Sequence, residues 1–329
     1  MTQVKDHIVA KKVLIDTDIG TDADDAIALS LAMASPELEI VGVIVTGKQA
    51  RYRSQLAKKL LVLGGFSHVP VFVGADSPVG DGELYWFGHE GQGVIDDDET
   101  QELDNRSGIE AYRDLAHKHD DLEVIAIGSM STLARAIDAY PGVAEKFVKV
   151  TIMGGHVRTA IYADTTIGPG IDYNLCIDPI ASTTVLESDA NITLIPCDVT
   201  LQTWLTTTDV DLLAGAGPLG QALATSVQAW APIQRAIFTG VGVGENYDPT
   251  NADFLHDPLT VATTFTDVCG YEEIWIEPTM VDGIFRTMER PSETPGSTPV
   301  RCAITVNAAD FHGMLMERLL AFANENTPI

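Results

Sequence analysis

Short apolar runs alternate with segments of helical periodicity through more than half of the chain. Strands separated by single helices need crossover connections, and such connections build a parallel sheet with helices packed on it. Later apolar runs follow one another without an intervening helix, which is typical of antiparallel strands. Strands are predicted over residues 13–16, 39–47, 69–74, 121–128, 147–155, 191–199, 272–281 and 301–306, and helices over 24–35, 54–65, 132–140 and 311–323.

This pattern predicts an α/β fold with a mostly parallel, Rossmann-like central sheet flanked by helices and a small antiparallel C-terminal addition. No linker or repeat interrupts it, so residues 1–329 are predicted to form a single domain. Gly-rich or Asp-rich irregular stretches are expected at 76–106, 155–177 and 239–256, positions where binding sites are commonly built.

The composition of the chain argues against several classes of binding partner and predicts where the protein is located. A net charge of −27 argues against nucleic-acid polymers and anionic membranes as partners. No apolar run approaches the roughly 20 residues that span a bilayer. The polar N-terminus and four cysteines without paired spacing predict a cytoplasmic protein with reduced thiols.

Five aspartates within ten residues follow the first predicted strand: Asp16, Asp18, Asp22, Asp24 and Asp25. They lie at the carboxyl end of a buried strand, where open parallel sheets bind ligands. Carboxylates this close repel one another unless a cation neutralises them, and oxygen ligands favour Ca²⁺ or Mg²⁺ over zinc. Capping of the next helix is the structural alternative, but it accounts for one or two aspartates only.

The stretch VLIDTDIGTDADDAIAL resembles the nucleoside hydrolase pattern, an apolar strand followed by DxDxGxDDAxAL, with Asp22–Ala23 as a two-residue insertion. The resemblance is to the inosine-uridine preferring type and implies a Ca²⁺-dependent hydrolase of nucleoside N-glycosidic bonds. It gives Asp18 the roles of Ca²⁺ ligand and general base for the attacking water. It makes Asp25 a bidentate metal ligand and Asp24 a ligand of ribose hydroxyls.

Three further segments carry the resemblance. HDPL matches the family's HDPLxVA, which implies that Asp257 is a metal ligand and His256 the leaving-group acid, with a pKa near the working range. A helix N-terminus is the alternative reading of this Asp-Pro pair. IGSMSTLA is similar to GPLTNLA and implies a carbonyl ligand at Ser131. IDYNLCIDP is similar to EFNxxxDP and implies sugar contacts from Asp172 and Asn174.

Two segments concern substrate selection. Lys48 stands where the family carries a ribose-binding asparagine, and it is either a surface lysine or a partner of Asp24. With Arg51 it would admit an anionic substituent. The loop WFGHEGQG resembles the family's flexible lid, which implies base contacts from His89 and its aromatic neighbours. Trp86 and Phe87 are the aromatic candidates in this loop, and Trp230, Phe238 and Tyr247 are further candidates from the later irregular stretch.

Two other functions remain open from the sequence. The strand ending in Asp16 and Asp18 superficially offers the DxD of a Mg²⁺-dependent phosphohydrolase of the haloacid dehalogenase type. A family member that binds nucleosides without cleaving them is the non-enzymatic alternative. The resemblance further implies a small-molecule nucleoside as partner, a pyrimidine or broad base preference, and a homodimer or homotetramer.

Overall fold

The computed structural model describes residues 9–96 and 99–326, and within them one sheet of nine strands organises the fold. The polar N-terminal residues 1–8, on which the predicted cytoplasmic location depends, lie outside the described part. The strands are β1 (Lys11–Thr17), β2 (Leu38–Val45), β3 (Val71–Val73), β4 (Glu123–Ala126), β5 (Lys149–Met153), β6 (Ala160–Tyr162), β7 (Thr165–Ile167), β8 (Ile192–Ile195), β9 (Trp204–Thr206), β10 (Asn251–Phe254), β11 (Cys269–Val281), β12 (Ile284–Arg290) and β13 (Thr298–Val306).

Helices cover both faces of this sheet. They are α1 (Asp24–Met33), α2 (Ala50–Leu63), α3 (Gly108–Lys118), α4 (Ser131–Ala139), α5 (Tyr173–Cys176), α6 (Pro179–Leu186), α7 (Cys197–Thr200), α8 (Thr207–Ala214), α9 (Gly217–Gly240), α10 (His256–Ala262) and α11 (Ala308–Glu325), with 3-10 turns at Ala144–Lys146 and Gly244–Asn246. Of the described helices, none is both long and apolar enough to cross a bilayer.

The sheet order is β12-β11-β13-β8-β5-β4-β1-β2-β3. Strands β1 to β5, β8 and β13 run parallel, while β11 pairs antiparallel with β12 and β13. The predicted α/β fold is confirmed, and the antiparallel strands continue the main sheet through β13. The chain extends the sheet to one side of β1 with β2 and β3, then to the other with β4, β5 and β8. The crevice between β1 and β4 is therefore a topological switch point.

Apolar layers fill both sides of the sheet. Helices α1, α2, α9, α10 and α11 contribute to one layer, and α3, α4 and α6 to the other. Every residue of α1 is buried, because this helix packs between the sheet and α10 rather than facing water. Its acidic first turn is carried into the interior as a consequence.

Three local predictions need correction. The stretch 155–177 contains the β6–β7 hairpin and α5, and β10 and the start of α10 lie within 239–256. Trp230 and Phe238 lie on α9, a helix of 24 residues with a proline inside it, instead of in an irregular segment. Strand β12 was not predicted, because its charged alternation lacks an apolar run.

Candidate active site

Three buried carboxylates meet where α1 and α10 begin. Asp24 and Asp25 open α1, Asp257 lies in the first turn of α10, and one ligand oxygen from each lies within 4.8 Å of the others. The backbone N–H of Asp257 donates to Asp24 Oδ2 at 2.9 Å and holds the two helix starts together. A buried set of carboxylate oxygens fits a hard divalent cation such as Ca²⁺ or Mg²⁺.

Helix capping does not explain these aspartates. Ala23 is the N-cap residue of α1 and provides no side-chain cap, while Asp25 accepts a hydrogen bond from the Thr17 hydroxyl. Burial raises the pKa of Asp24, Asp25 and Asp257 well above the ordinary value, and neighbouring carboxylates raise it further. Such a group needs a cation or protons to be stable in the interior.

A cavity of about 440 Å³ opens beside the three carboxylates. This volume lies within the range of small-molecule sites. Both acidic and aromatic side chains line it. The acidic residues are Asp18, Asp22, Asp24, Asp25, Asp172 and Asp257, and the aromatic ones Tyr85, Phe87, Tyr173, Trp230 and Phe238.

Asp18 follows β1 directly and lines this cavity. Burial raises its pKa to about 6, and the Arg53 guanidinium opposes the rise. A Cβ at position 128 would lie 2.7 Å from the Asp18 nitrogen, so only glycine lets the loop after β4 approach so closely. Asp18 therefore lies beside the three buried carboxylates, with a pKa suited to proton transfer near neutral pH.

Arg53, which the sequence analysis did not identify, holds the loop that carries Asp18 through several hydrogen bonds. Its buried guanidinium donates to the carbonyls of Asp18 at 2.6 Å and Ile19 at 3.0 Å, and to the Thr21 hydroxyl at 2.7 Å. It also forms a buried ion pair with Glu90 at 3.4 Å.

Glu90 in turn accepts from the N–H groups of Phe87 and Gly88 at 2.7 and 2.6 Å. One ion pair thus connects the Asp18 loop to the predicted lid.

The lid aromatics divide into two groups. Phe87 lies edge-on to Trp230 with ring centroids 6.3 Å apart, and His89 stacks on the same ring at 6.0 Å. His89 Nε2 lies 2.9 Å from the Thr21 carbonyl, and His89 is not among the cavity-lining residues. Trp86 covers Arg53 from outside, and the guanidinium carbon of Arg53 lies 5.4 Å from the centroid of the Trp86 ring. Phe87 and Trp230 are therefore the aromatic side chains of this group that can meet a ligand.

His256 lines the cavity, and its Nδ1 lies 2.6 Å from the Thr200 hydroxyl. Burial lowers the pKa of His256 to about 4. The expectation of a pKa near the working range is therefore wrong for this environment, and the imidazole is neutral at neutral pH.

Asp172 and Asn174 both line the cavity, as their predicted contact with the sugar requires. Asp172 accepts from the Gly155 N–H at 2.8 Å and caps α5. Asn174 donates to the carbonyls of Ile127 and Met153 at 3.1 and 3.3 Å. Both side chains are fixed by these bonds, and the carbonyl oxygen of Asn174 is left for a ligand.

Two other candidates lie outside the residues that line the cavity. The Ser131 hydroxyl donates to Asp178 at 2.6 Å, and its carbonyl accepts from Arg135 at 3.3 Å. Lys48 Nζ lies 3.9 Å from Glu83, so the expected pairing with Asp24 is not formed.

Arg51 lines a separate groove on the protein. No lysine or arginine is among the described residues lining the cavity, which removes the basis for an anionic substituent on the substrate.

Sequence reasoning missed two further residues near the site. Tyr173 lines the cavity, and its hydroxyl accepts from the Tyr85 N–H at 3.2 Å. Asp253 on β10 is fully buried. A charged residue inside the apolar stretch before HDPL was the available signal for Asp253, whereas only the fold brings Tyr173 to the cavity.

The family model of inosine-uridine preferring nucleoside hydrolases matches residues 13–316. The chain is 26% identical to the probable uridine nucleosidase 2 of Arabidopsis thaliana over 330 residues, covering 94% of this chain and 98% of the relative. It is 27% identical to the inosine-uridine preferring nucleoside hydrolase of Leishmania major over 201 residues, which is 58% of this chain and 62% of that protein.

Solved structures show the same fold. A purine-preferring ribonucleoside hydrolase from Gardnerella vaginalis superposes with a TM-score of 0.80 and 22% identity, covering 96% of this chain and all of the other. A plant nucleoside hydrolase gives the same TM-score and identity, covering 94% and 99%. With a family model that matches nearly its whole length, the chain belongs to the inosine-uridine preferring nucleoside hydrolase family, whose members are N-glycosyl hydrolases.

Proposed function

We propose that this chain hydrolyses the N-glycosidic bond of an uncharged ribonucleoside to free base and sugar. The observation that carries the proposal is the buried group of Asp24, Asp25 and Asp257 beside Asp18, in a cavity that aromatic side chains also line. A Ca²⁺ ion held by these carboxylates, with Asp18 as a further predicted ligand, would acidify a water and bind sugar hydroxyls, whereas the Ser131 carbonyl, which accepts from Arg135 outside the cavity, is not included.

Asp18 is the general base in this proposal. Its carboxylate is ionised near neutral pH and takes a proton from the water that attacks the anomeric carbon. The surrounding aspartates stabilise the positive charge that develops on the sugar as the bond to the base breaks. Asp24, Asp172 and Asn174 bind the sugar hydroxyls, since all three line the same cavity.

The base lies against Phe87 and Trp230, while Phe238 is a further aromatic lining residue and His89 stacks on Trp230. For His256 we assign the neutral tautomer in which Thr200 donates to Nδ1 and Nε2 carries the proton. This N–H donates a hydrogen bond to the departing base, a role that a neutral imidazole fulfils. The name of the Arabidopsis relative, a uridine nucleosidase, supports a pyrimidine or broad base preference.

The phosphohydrolase alternative is not supported. Asp16, its required nucleophile, accepts hydrogen bonds from Tyr112 and Thr46 at 2.7 Å each and does not line the cavity. The family match points to a different reaction class. A homodimer or homotetramer and a cytoplasmic location stay predictions, and light scattering would decide the first.

The test is release of reducing sugar from a panel of purine and pyrimidine nucleosides, with and without a chelator. We expect Asp18→Asn to lower kcat by about 100- to 10,000-fold. Asp257→Asn should lower both kcat and the content of divalent ion.

Asp209→Asn is the matched control, because this buried aspartate lies on α8 and does not line the cavity. A protein that retains calcium but cleaves no nucleoside would instead be a nucleoside-binding member of the family.

A further inference from the structure

Two aspartates beside the metal-binding carboxylates have no part in the proposed reaction. Asp22 belongs to the two-residue insertion between β1 and α1 and is half-buried. Asp253 lies on β10, four residues before Asp257, and its side chain is 0% exposed. Neither carboxylate oxygen of Asp253 has a hydrogen-bond donor among the described residues. A buried ionised carboxylate without a donor is strongly unfavourable, so this side chain needs either a proton or a cation.

The two aspartates face each other. Their side chains lie within hydrogen-bonding contact, and the side chain of Asp22 is also within hydrogen-bonding contact of the Asp24 side chain. Ionised carboxylates only accept hydrogen bonds, so each of these contacts requires either a shared proton or a cation between the two groups. Asp253, Asp22 and Asp24 therefore form a line of carboxylates that runs into the group completed by Asp25 and Asp257.

Positive charge is scarce around this line. Arg53 acts on Asp18 and Asp25, and it is already paired with Glu90. The interactions acting on Asp22 and Asp253 are mainly those with other carboxylates. A single divalent ion at Asp24, Asp25 and Asp257 would leave most of the negative charge in this region uncompensated.

We propose that Asp22 and Asp253 hold a second divalent cation, beside the one assigned to Asp24, Asp25 and Asp257. The inference rests on the proposed function only for that first ion. Hard oxygen ligands suit Ca²⁺ or Mg²⁺, and paired ions about 3.5–4 Å apart are common where carboxylates lie between them. Asp24 occupies that intermediate position, because it contacts Asp22 and belongs to the first group.

Water can reach the Asp22 side of this site to complete a coordination shell. Asp22 lines the main cavity and also a void of about 10 Å³ bounded by Ile19, His89 and Ala229. That volume corresponds to about one water molecule. A proton shared by the two aspartates would provide a donor for only one oxygen of Asp253, whereas a cation can interact with both. The second ion also ties the loop before α1 to β10, which are more than 200 residues apart in sequence.

The experiment counts calcium ions per chain. The protein is equilibrated by gel filtration in a buffer of known, saturating Ca²⁺ concentration and analysed by elemental mass spectrometry, and the calcium content of that buffer is subtracted. We expect two ions per chain for the wild type and one for Asp253→Asn, which keeps the shape of the side chain. Asp22→Asn, at a half-buried position, should lose the same ion and serves where the Asp253 variant does not fold. Asp209→Asn should keep both ions.

The outcomes separate this inference from the proposed function. One ion in the wild type that Asp253→Asn retains would overturn the second site and favour a shared proton. Two ions in a protein that cleaves no nucleoside would support the second site and refute the proposed reaction. A protein that binds no calcium or magnesium would refute both metal assignments.

Discussion

Replacing Arg53 by methionine tests whether the buried ion pair positions the Asp18 loop. The substitution keeps most of the aliphatic volume and removes every hydrogen bond of the guanidinium to Asp18, Ile19, Thr21 and Glu90. Breaking a buried ion pair costs about 3–5 kcal/mol. Glu90 keeps donors from two backbone N–H groups and the Thr21 hydroxyl, so we expect the lower figure, about 3 kcal/mol.

For a chain of this size, about 3 kcal/mol corresponds to a fall in Tm of about 4 °C. Loss of the bonds to the Asp18 carbonyl should also displace the general base, and a displacement of about 1 Å costs about 100-fold in rate. Because the charge of Arg53 opposes the rise in the Asp18 pKa that burial causes, the loss of Arg53 raises this pKa further. The acidic limb of the pH–rate profile should therefore move to higher pH.

The assays are thermal unfolding and steady-state kinetics across pH. Arg53→Lys keeps the charge without the planar fork and should recover only part of both losses. In a protein that already carries Glu90→Gln, Arg53→Met should lower the free energy of unfolding by at least about 1 kcal/mol less than Arg53→Met does in the wild type. An Arg53→Met protein with unchanged Tm and kcat/KM would show that the loop does not depend on this ion pair.

Four further outcomes are expected. Trp230→Leu should raise KM by up to about 10-fold with little change in kcat, because stacking contributes about 0.5–1.5 kcal/mol. Trp230→Phe should retain most of the affinity, and an unchanged KM in the Trp230→Leu variant would show that Trp230 does not contact the base. Thr200→Val should lower kcat about 10-fold at unchanged calcium content, since it frees the tautomer of His256, and equal kcat values would argue against that assignment. Calcium at 100 times its Kd should stabilise the fold by about 2.7 kcal/mol in denaturation assays, and a chelator should reverse this. Burial raises the pKa of Glu90, but the hydrogen bonds that Glu90 accepts lower this pKa more. The ionised Glu90 side chain therefore stabilises the fold fully above its unfolded pKa of about 4.3, and this contribution is lost as the pH falls through the lower folded pKa. Glu90→Gln should make the free energy of unfolding less dependent on pH over that range.

Local sequence determined much of this protein. The alternation of apolar runs and helical segments predicted the parallel sheet, because side-chain periodicity depends on each element alone. The aspartates after β1 and the HDPL segment identified Asp18, Asp24, Asp25 and Asp257, and the fold brings the last three within ligand distance. That placement follows from β1 ending at the switch point of the sheet.

Other properties of the site depend on contacts between distant segments. Arg53 is an ordinary helix residue in sequence, and only packing brings its guanidinium against the Asp18 loop and Glu90. The low pKa of His256 and the pairing of Lys48 with Glu83 likewise depend on burial and on neighbours from other elements. Asp22 and Asp253 are far apart in the chain and meet because α1 and α10 pack together. Residue type sets which chemistry is available, and tertiary packing sets the dielectric and the partners that decide how each group behaves.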